Sequence, residues 1–171
     1  MKARDVSGPG RRVIAYVGVG SNLDKPAEQV RSAFRELDQI PGTRCVRTSS
    51  LYLSPPLGPV EQPDFINAVA VVATGLLVET LLEKLQAIED AHGRRRNGTR
   101  WGPRPLDLDI LLYGDWRMDT ARLVVPHPGL QKRCFVLYPL LEVATPDLRI
   151  PGRGSLRELV KGCREDNIRR L

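Results

Sequence analysis

The amino-acid sequence predicts an α+β domain: an antiparallel sheet with helices packed on one side of it. Three observations carry that reading. Extended and helical patterns follow one another through the first two-thirds of the chain as strand, helix, strand, strand, helix, strand, the split β-α-β order. Two stretches place their apolar residues at helical spacing on one face. The strand-like stretches are rich in Val, Ile, Thr and Tyr, and Pro and Gly bound them. With 171 residues the chain suits one domain, long enough to bury roughly 70% of its unfolded surface without staples. Residues 13–171 are expected to form it. Residues 1–12 are polar, with Gly and Pro and no hydrophobic stretch of signal-peptide type, and are expected to be a disordered tail.

Residues 13–18, Val-Ile-Ala-Tyr-Val-Gly, read as a short apolar strand. Gly18-Val-Gly-Ser-Asn22 follows as a tight strand-to-helix turn with a capping Ser or Asp. The helix after it has Pro26 in its first turn and Ala27, Val30, Ala33, Phe34, Leu37 and Ile40 on one face, until Pro41-Gly42 stops it. Residues 43–53 are strand-like. Residues 54–63, Ser-Pro-Pro-Leu-Gly-Pro-Val-Glu-Gln-Pro, hold too much proline for regular structure and form an exposed loop. A strand resumes over 65–74. A second amphipathic helix covers 78–91 with Leu81, Leu82, Leu85 and Ile88 inward, and ends near Gly93. Another strand opens at Leu106. Beyond it, residues 123–128 are extended, 133–144 helical despite Pro139, and 148–151 a short strand, before Ser155 caps a last helix that reaches Gly162.

Residues 94–113 set a cationic loop against two paired carboxylates. Arg94, Arg95, Arg96, Arg100 and Arg104 are interspersed with Gly98, Gly102 and Pro103, which makes a mobile loop able to present planar forks to phosphate oxygens. In the strand that follows, Leu106, Leu108, Ile110 and Leu112 point one way, and Asp107, Asp109 and Leu111 the other. The Cα atoms of the two aspartates are then roughly 7 Å apart, at a rise of about 3.4 Å per residue. Left bare, the carboxylates repel and one holds a proton. A hard cation such as Mg²⁺ resolves that conflict, since it takes one or two carboxylates and completes its shell with water and phosphate oxygens. Each part also has a plainer reading, the Asp-x-Asp as salt-bridge partners and the arginine run as a solvated face or a weak nucleic-acid contact. Their adjacency, with the large ring of Trp101 between them, is what a magnesium-nucleotide site requires.

Composition and absent motifs narrow the choice. The formal charge is +6, mostly from arginine, which favours an anionic partner. No run of about 18 apolar residues is present, so no membrane span is expected. Cys45, Cys134 and Cys163 are odd in number, far apart and without zinc-site spacing, and read as reduced thiols of a cytoplasmic protein with no disulfide. There is no Gly-x-x-x-x-Gly-Lys-Ser/Thr, and Gly18-x-Gly20 is followed by Leu23 where a dinucleotide fingerprint needs its third glycine. Those absences exclude P-loop and Rossmann sites.

Five segments together closely resemble the 6-hydroxymethyl-7,8-dihydropterin pyrophosphokinases of folate synthesis. They are Gly18-Val-Gly-Ser-Asn-Leu23, Ser54-Pro-Pro-Leu-Gly-Pro59, Gln62-Pro-Asp-Phe-Ile-Asn67, Arg100-Trp-Gly-Pro-Arg-Pro-Leu-Asp-Leu-Asp109, and Val125-Pro-His127 with Arg133 and Phe135 after it. The resemblance runs over residues 13–161. It implies a ferredoxin-like fold and transfer of the β,γ-pyrophosphoryl unit of ATP onto the pterin hydroxymethyl oxygen, with release of AMP. It puts Asp107 and Asp109 on two Mg²⁺ ions that bridge the ATP phosphates, and Arg94, Arg104, His127 and Arg133 on the phosphates themselves. Trp101 and Arg104 belong to a loop that closes over the site, and Gln86 and Glu89 resemble positions near the nucleotide. For the pterin it implies Ser54, Pro55 and Leu57 through backbone and packing contacts, Asn67 as a hydrogen-bond partner, and Phe135 stacking against Phe65. The catalytic set is then Arg94, Arg104, Asp107 and Asp109.

Physical chemistry agrees, because phosphoryl-type transfer relies on in-line positioning and charge stabilisation rather than covalent help. Read without the family, His127 also fits a packed strand end, Asn67 a turn-capping amide and Phe135 the core. The chain departs from the family pattern at Phe65, where tyrosine is frequent, at Ser54 in place of threonine, and at Pro128, where an aromatic often follows the histidine. A competing reading is a ferredoxin-like RNA-binding module. It suits the basic charge, but Asp107 and Asp109 stand where stacked bases would want rings. The expected partners are ATP and the pterin, with no nucleic acid or membrane partner, for a monomer.

Overall fold

The computed structural model describes residues 10–94, 101–164 and 167–171. Most of the expected tail, and Arg95, Arg96 and Arg100, lie outside the described residues. The chain runs through β1 (Val13–Ser21), α1 (Pro26–Gln39), β2 (Thr43–Thr48), β3 (Tyr52–Ser54), β4 (Phe65–Thr74), α2 (Val78–Ala91) and β5 (Asp107–Tyr113). The later elements are β6 (Met118–Asp119), β7 (Val124–Val125), a 3-10 turn (Leu130–Lys132), α3 (Cys134–Val143), β8 (Arg149–Ile150), β9 (Gly154–Ser155), α4 (Leu156–Lys161) and β10 (Arg169–Arg170). The main sheet has the order β10-β3-β4-β1-β5, with β2 also paired to β4, and every pairing in it is antiparallel. No helix among the described residues is long and apolar enough to cross a membrane.

The predicted helical faces are the buried ones. Val30, Ala33, Leu37 and Ile40 of the first helical segment and Leu81 and Leu85 of α2 pack with Val17, Ala70, Val72 and Ile110 of the sheet, while Ala27, Phe34, Leu82 and Ile88 border that core. The opposite face of the sheet is covered as well, against expectation. Leu137, Leu140 and Val143 of α3 and Leu156 of α4 pack on Tyr16, Val69, Val71 and Leu112. The reason is visible in β4, whose sequence Phe-Ile-Asn-Ala-Val-Ala-Val-Val-Ala-Thr is buried at nine of ten positions. A strand apolar on both faces needs a layer on each.

Four further expectations are corrected. First, the Gly18–Asn22 segment is not a turn, since β1 continues to Ser21 and α1 begins after Asp24 and Lys25, both at positive φ, with no side-chain cap. The chain stays extended because Gly18 pairs with Val69 and Asp109, and Gly20 with Asn67 and Asp107. Second, residues 43–53 form two strands rather than one, interrupted where Ser49 accepts the Val69 N–H on its hydroxyl at 2.9 Å. Third, strict alternation in β5 fails at Leu111. The β1–β5 register skips that residue, so Leu111 and Leu112 both join the second core and Tyr113 returns to the first. Fourth, Cys134 and Cys163 are joined as a disulfide, their Cα atoms 5.7 Å apart, while Cys45 is free. They are far apart in sequence, but α4 packs along α3 and brings the cysteine after one helix to the start of the other.

Glu142, near the end of α3, ties the second layer to the sheet edge. Its carboxylate accepts from Ser50 N and Oγ at 2.9 and 2.7 Å and from Tyr52 Oη at 2.7 Å, and Arg170 of β10 approaches at 3.5 Å. Partial burial alone would raise this carboxyl, but the Tyr52 and Ser50 bonds outweigh it and hold it below its ordinary 4.5. Its contribution to stability is therefore present above pH 4.5 and lost as pH falls through the lowered value. Glu142→Gln should cost about 1–3 kcal/mol at neutral pH. In chemical denaturation, that difference from the parent should shrink as the pH drops below 4.5.

Candidate active site

Three neighbouring strands present one surface beneath a cavity of about 310 Å³. Directly opposed residues of antiparallel strands share a face, so the pairings Gly18↔Asp109, Gly20↔Asp107 and Gly20↔Asn67 put both aspartates and the asparagine on the cavity side. The glycines between them leave the floor open. A Cβ at Gly18 would lie 3.3 Å from Leu111 Cδ2, and one at Gly20 would lie 3.1 Å from Asn67 Oδ1. The sequence marks this only as two glycines spaced by two in an apolar strand.

The Asp107 carboxylate is held on both oxygens, with Arg94 Nη1 donating to Oδ1 at 2.6 Å and Arg104 Nη1 to Oδ2 at 3.1 Å. Arg94 also donates to Glu89. Glu89 is only 2% exposed and accepts the Leu108 N–H at 2.7 Å, so a buried carboxylate fixes the backbone between the two aspartates. It lies beneath the cavity rather than in its lining, and Gln86, one turn earlier on α2, is also absent from the lining. The other predicted site residues, Ser54, Pro55, Leu57, Phe65, Asn67, Arg94, Trp101, Arg104, Asp107, Asp109, His127, Arg133 and Phe135, line it together.

Asp109 has a different environment. Withdrawal from bulk water at the cavity floor, and then the charge of Asp107, push its carboxyl up to about 7 against the pull of Arg133 and Arg94. The side chain keeps 38% of its surface open to the cavity, so a cation entering there meets it directly. His127 Nε2 lies 4.0 Å away, but burial and then the positive charge of Arg133 hold the imidazole down at about 4. At neutral pH the contact is not an ion pair. Nδ1 accepts the Gly129 N–H at 3.1 Å, which leaves the proton on Nε2, directed to the cavity. The extra residue in β5 explains the placement of this histidine, because the Leu111 carbonyl accepts the His127 N–H at 2.9 Å. Bulges re-aim side chains beside sites in this way. Gly129 admits Arg133: a Cβ there would lie 2.8 Å from Arg133 Nε.

The other end of the cavity is less charged. Asn67, 7% exposed, donates to Ser54 Oγ at 2.6 Å, with Phe65, Phe135, Pro55 and Leu57 around them. One residue that sequence reasoning missed links the two ends. Asn22, 3% exposed, donates to Gln62 Oε1 at 2.9 Å and the Pro63 carbonyl at 3.0 Å, and accepts the Arg104 N–H at 2.8 Å. Gln62 in turn donates to the Trp101 carbonyl, and Trp101 packs on Gly58. The proline-rich loop is thereby pinned to the segment that carries Trp101 and Arg104. A buried asparagine after Gly-x-Gly-Ser was the available signal.

Comparison with known proteins agrees with this geometry. The family model for 7,8-dihydro-6-hydroxymethylpterin-pyrophosphokinase (HPPK) matches residues 16–145. The chain belongs to this family. It is 51% identical over 156 residues to the 2-amino-4-hydroxy-6-hydroxymethyldihydropteridine pyrophosphokinase of Pseudomonas aeruginosa, covering 91% of this chain and 95% of the relative. The enzyme of that name from Haemophilus influenzae is 48% identical over 149 residues, covering 87% and 92%. Among solved structures, Plasmodium falciparum HPPK-DHPS with pterin and p-hydroxybenzoate superposes with a TM-score of 0.71 at 15% identity, over 94% of this chain and 46% of that one. This chain spans about half the length of that solved chain, and the likeness concerns the fold alone.

Two carboxylates fit the donor chemistry of a hard cation that draws its other ligands from phosphate and water. No group of three or more His, Cys, Asp or Glu side chains converges among the described residues. In the metal-free protein, ionising Asp109 is unfavourable. In the unfolded chain it ionises at the ordinary 3.8, and in the fold it keeps its proton up to about 7. Stability is therefore lost as pH rises between those values. Asp109→Asn should raise the melting temperature of the metal-free protein, with the largest gain above pH 7 and little gain near pH 4. An equal gain at every pH would contradict the assignment.

Proposed function

We infer that this HPPK-family chain transfers pyrophosphate from ATP to 6-hydroxymethyl-7,8-dihydropterin in folate biosynthesis, with release of AMP. The observation that carries the reading is the single cavity with unlike ends: paired aspartates among Arg94, Arg104 and Arg133 at one, and Phe65, Phe135, Asn67 and Ser54 at the other. A bisubstrate transfer needs such a site, because both reactants must be held together in line.

Asp107 and Asp109 are the residues to hold Mg²⁺, as two ions, which when bound supply neutralisation of the phosphate charge. Arg94 and Arg104, already on Asp107, would turn their remaining donors to phosphate oxygens, and Arg133 would do the same. His127 contributes a neutral Nε2–H. Such donors act most where charge grows during transfer, so they raise the rate more than they tighten ground-state binding. At the far end, Phe65 and Phe135 offer ring faces to a flat heterocycle, and Asn67 with Ser54 offers fixed polar atoms to its edge. Trp101 and Arg104 are positioned to close over both substrates. The antiparallel sheet, with α1 between β1 and β2 and α2 between β4 and β5, supports a ferredoxin-like fold, and we take the protein to act as a cytoplasmic monomer on small molecules rather than nucleic acid.

Incubation with Mg-ATP and 6-hydroxymethyl-7,8-dihydropterin should yield AMP and the pterin diphosphate, detected by chromatography. ADP would indicate an ordinary kinase, and no nucleotide turnover would refute the reading. In the same assay Arg104→Ala should lower kcat by about 10²-fold or more while changing the affinity for a non-hydrolysable ATP analogue much less.

A further inference from the structure

We propose that Arg153, at the tip of the β8–β9 hairpin, positions His127 for the phosphates by gripping the turn that carries it. The inference deepens the reading of the site given above and rests on it. Arg153 Nη1 donates to the His127 carbonyl at 2.6 Å and to Gln131 Oε1 at 2.5 Å, and Nη2 donates to the Pro126 carbonyl at 3.2 Å. One planar guanidinium thus spans two successive carbonyls and the far end of the same turn, a geometry that an ammonium cannot reproduce. From the other side the His127 N–H is bound to the Leu111 carbonyl and its Nδ1 to Gly129. The backbone of His127 is therefore clamped between β5 and Arg153, and only Nε2 is left to face Asp109 and the cavity.

The hairpin tip is closely surrounded, and Arg117, whose like charge opposes that of Arg153, lies near it. Arg153 N–H donates to the Ile150 carbonyl at 2.9 Å, and the Arg117 guanidinium lies so close over Gly152 that a Cβ there would be 2.9 Å from its Nη2. Arg153 is not in the cavity lining, so it touches no substrate and acts through the turn. Groups that orient a ligating or donating histidine from behind commonly matter almost as much as the histidine.

The chain has two histidines, His92 and His127, so imidazole ¹H–¹⁵N spectra contain two sets of signals, assigned with His127→Ala. In Arg153→Met at neutral pH the His127 set should move toward a mixture of tautomers while the His92 set stays in place. The kcat for AMP formation should fall by about 10- to 100-fold, pterin affinity should hold, and Arg153→Lys should recover part of the rate. In a His127→Ala background Arg153→Met should add no further loss. An unmoved His127 set, or a loss that recurs undiminished without His127, overturns the proposal. If Arg153→Met melts below the assay temperature, Arg153→Lys carries the same spectra and the same cycle. Should the parent form no AMP while the His127 signals still move, the functional reading fails and the positioning role stands.

Discussion

Two carboxylates on one strand face at the bottom of a cavity repel each other, and the rest of the site is arranged around that repulsion. Asp107 is satisfied within the protein, by Arg94 on one oxygen and Arg104 on the other. Asp109 is left open, its carboxyl raised by its position and by its neighbour. The asymmetry gives the pair two roles. One aspartate holds the arginines in place, and the other has an unfavourable charge of the kind that a bound cation would relieve.

The elements around the pair serve the same constraint. Glu89 adds a third negative group behind the strand, which accepts from Arg94, joins Asp107 in favouring its charged form and holds the Leu108 N–H. The glycines of β1 remove side chains from the floor between the aspartates and Asn67. The bulge at Leu111 turns a carbonyl toward His127. Burial together with Arg133 keeps that imidazole neutral, so its Nε2–H is a donor that adds no charge to the cavity. The second layer, α3 with its Glu142 latch, brings Arg133 and Phe135 to the lining of the same cavity.

Much of this was legible from residues alone. The helix over 78–91 and the strand over 65–74 stand where period and Pro/Gly boundaries put them, because local pattern and burial agree there. The convergence of Arg94, Arg104, Asp107, Asp109, His127 and Arg133 on one cavity follows the resemblance of the motifs. What was not legible depends on contacts distant in sequence. Gly18 and Gly20 look like a turn until their partner strands are known. Leu112 faces the wrong core because a one-residue bulge reverses every later side chain. The disulfide needs α4 laid along α3, and spacing cannot reveal that. Asn22 stands in a recognisable motif, but nothing in that motif shows that its bonds join the segments that carry Gln62 and Arg104.

The most direct test of this account is a ¹³C-carboxyl NMR titration of the aspartates in the metal-free protein, repeated with Mg²⁺ and a non-hydrolysable ATP analogue. Asp109 should show a midpoint of about 7 when free, and that midpoint should fall well into the acid range when cation and nucleotide bind. If Asp109 instead titrates near the ordinary 3.8 in the free protein and does not respond to Mg²⁺, the burial and the repulsion by Asp107 at the centre of the account are absent.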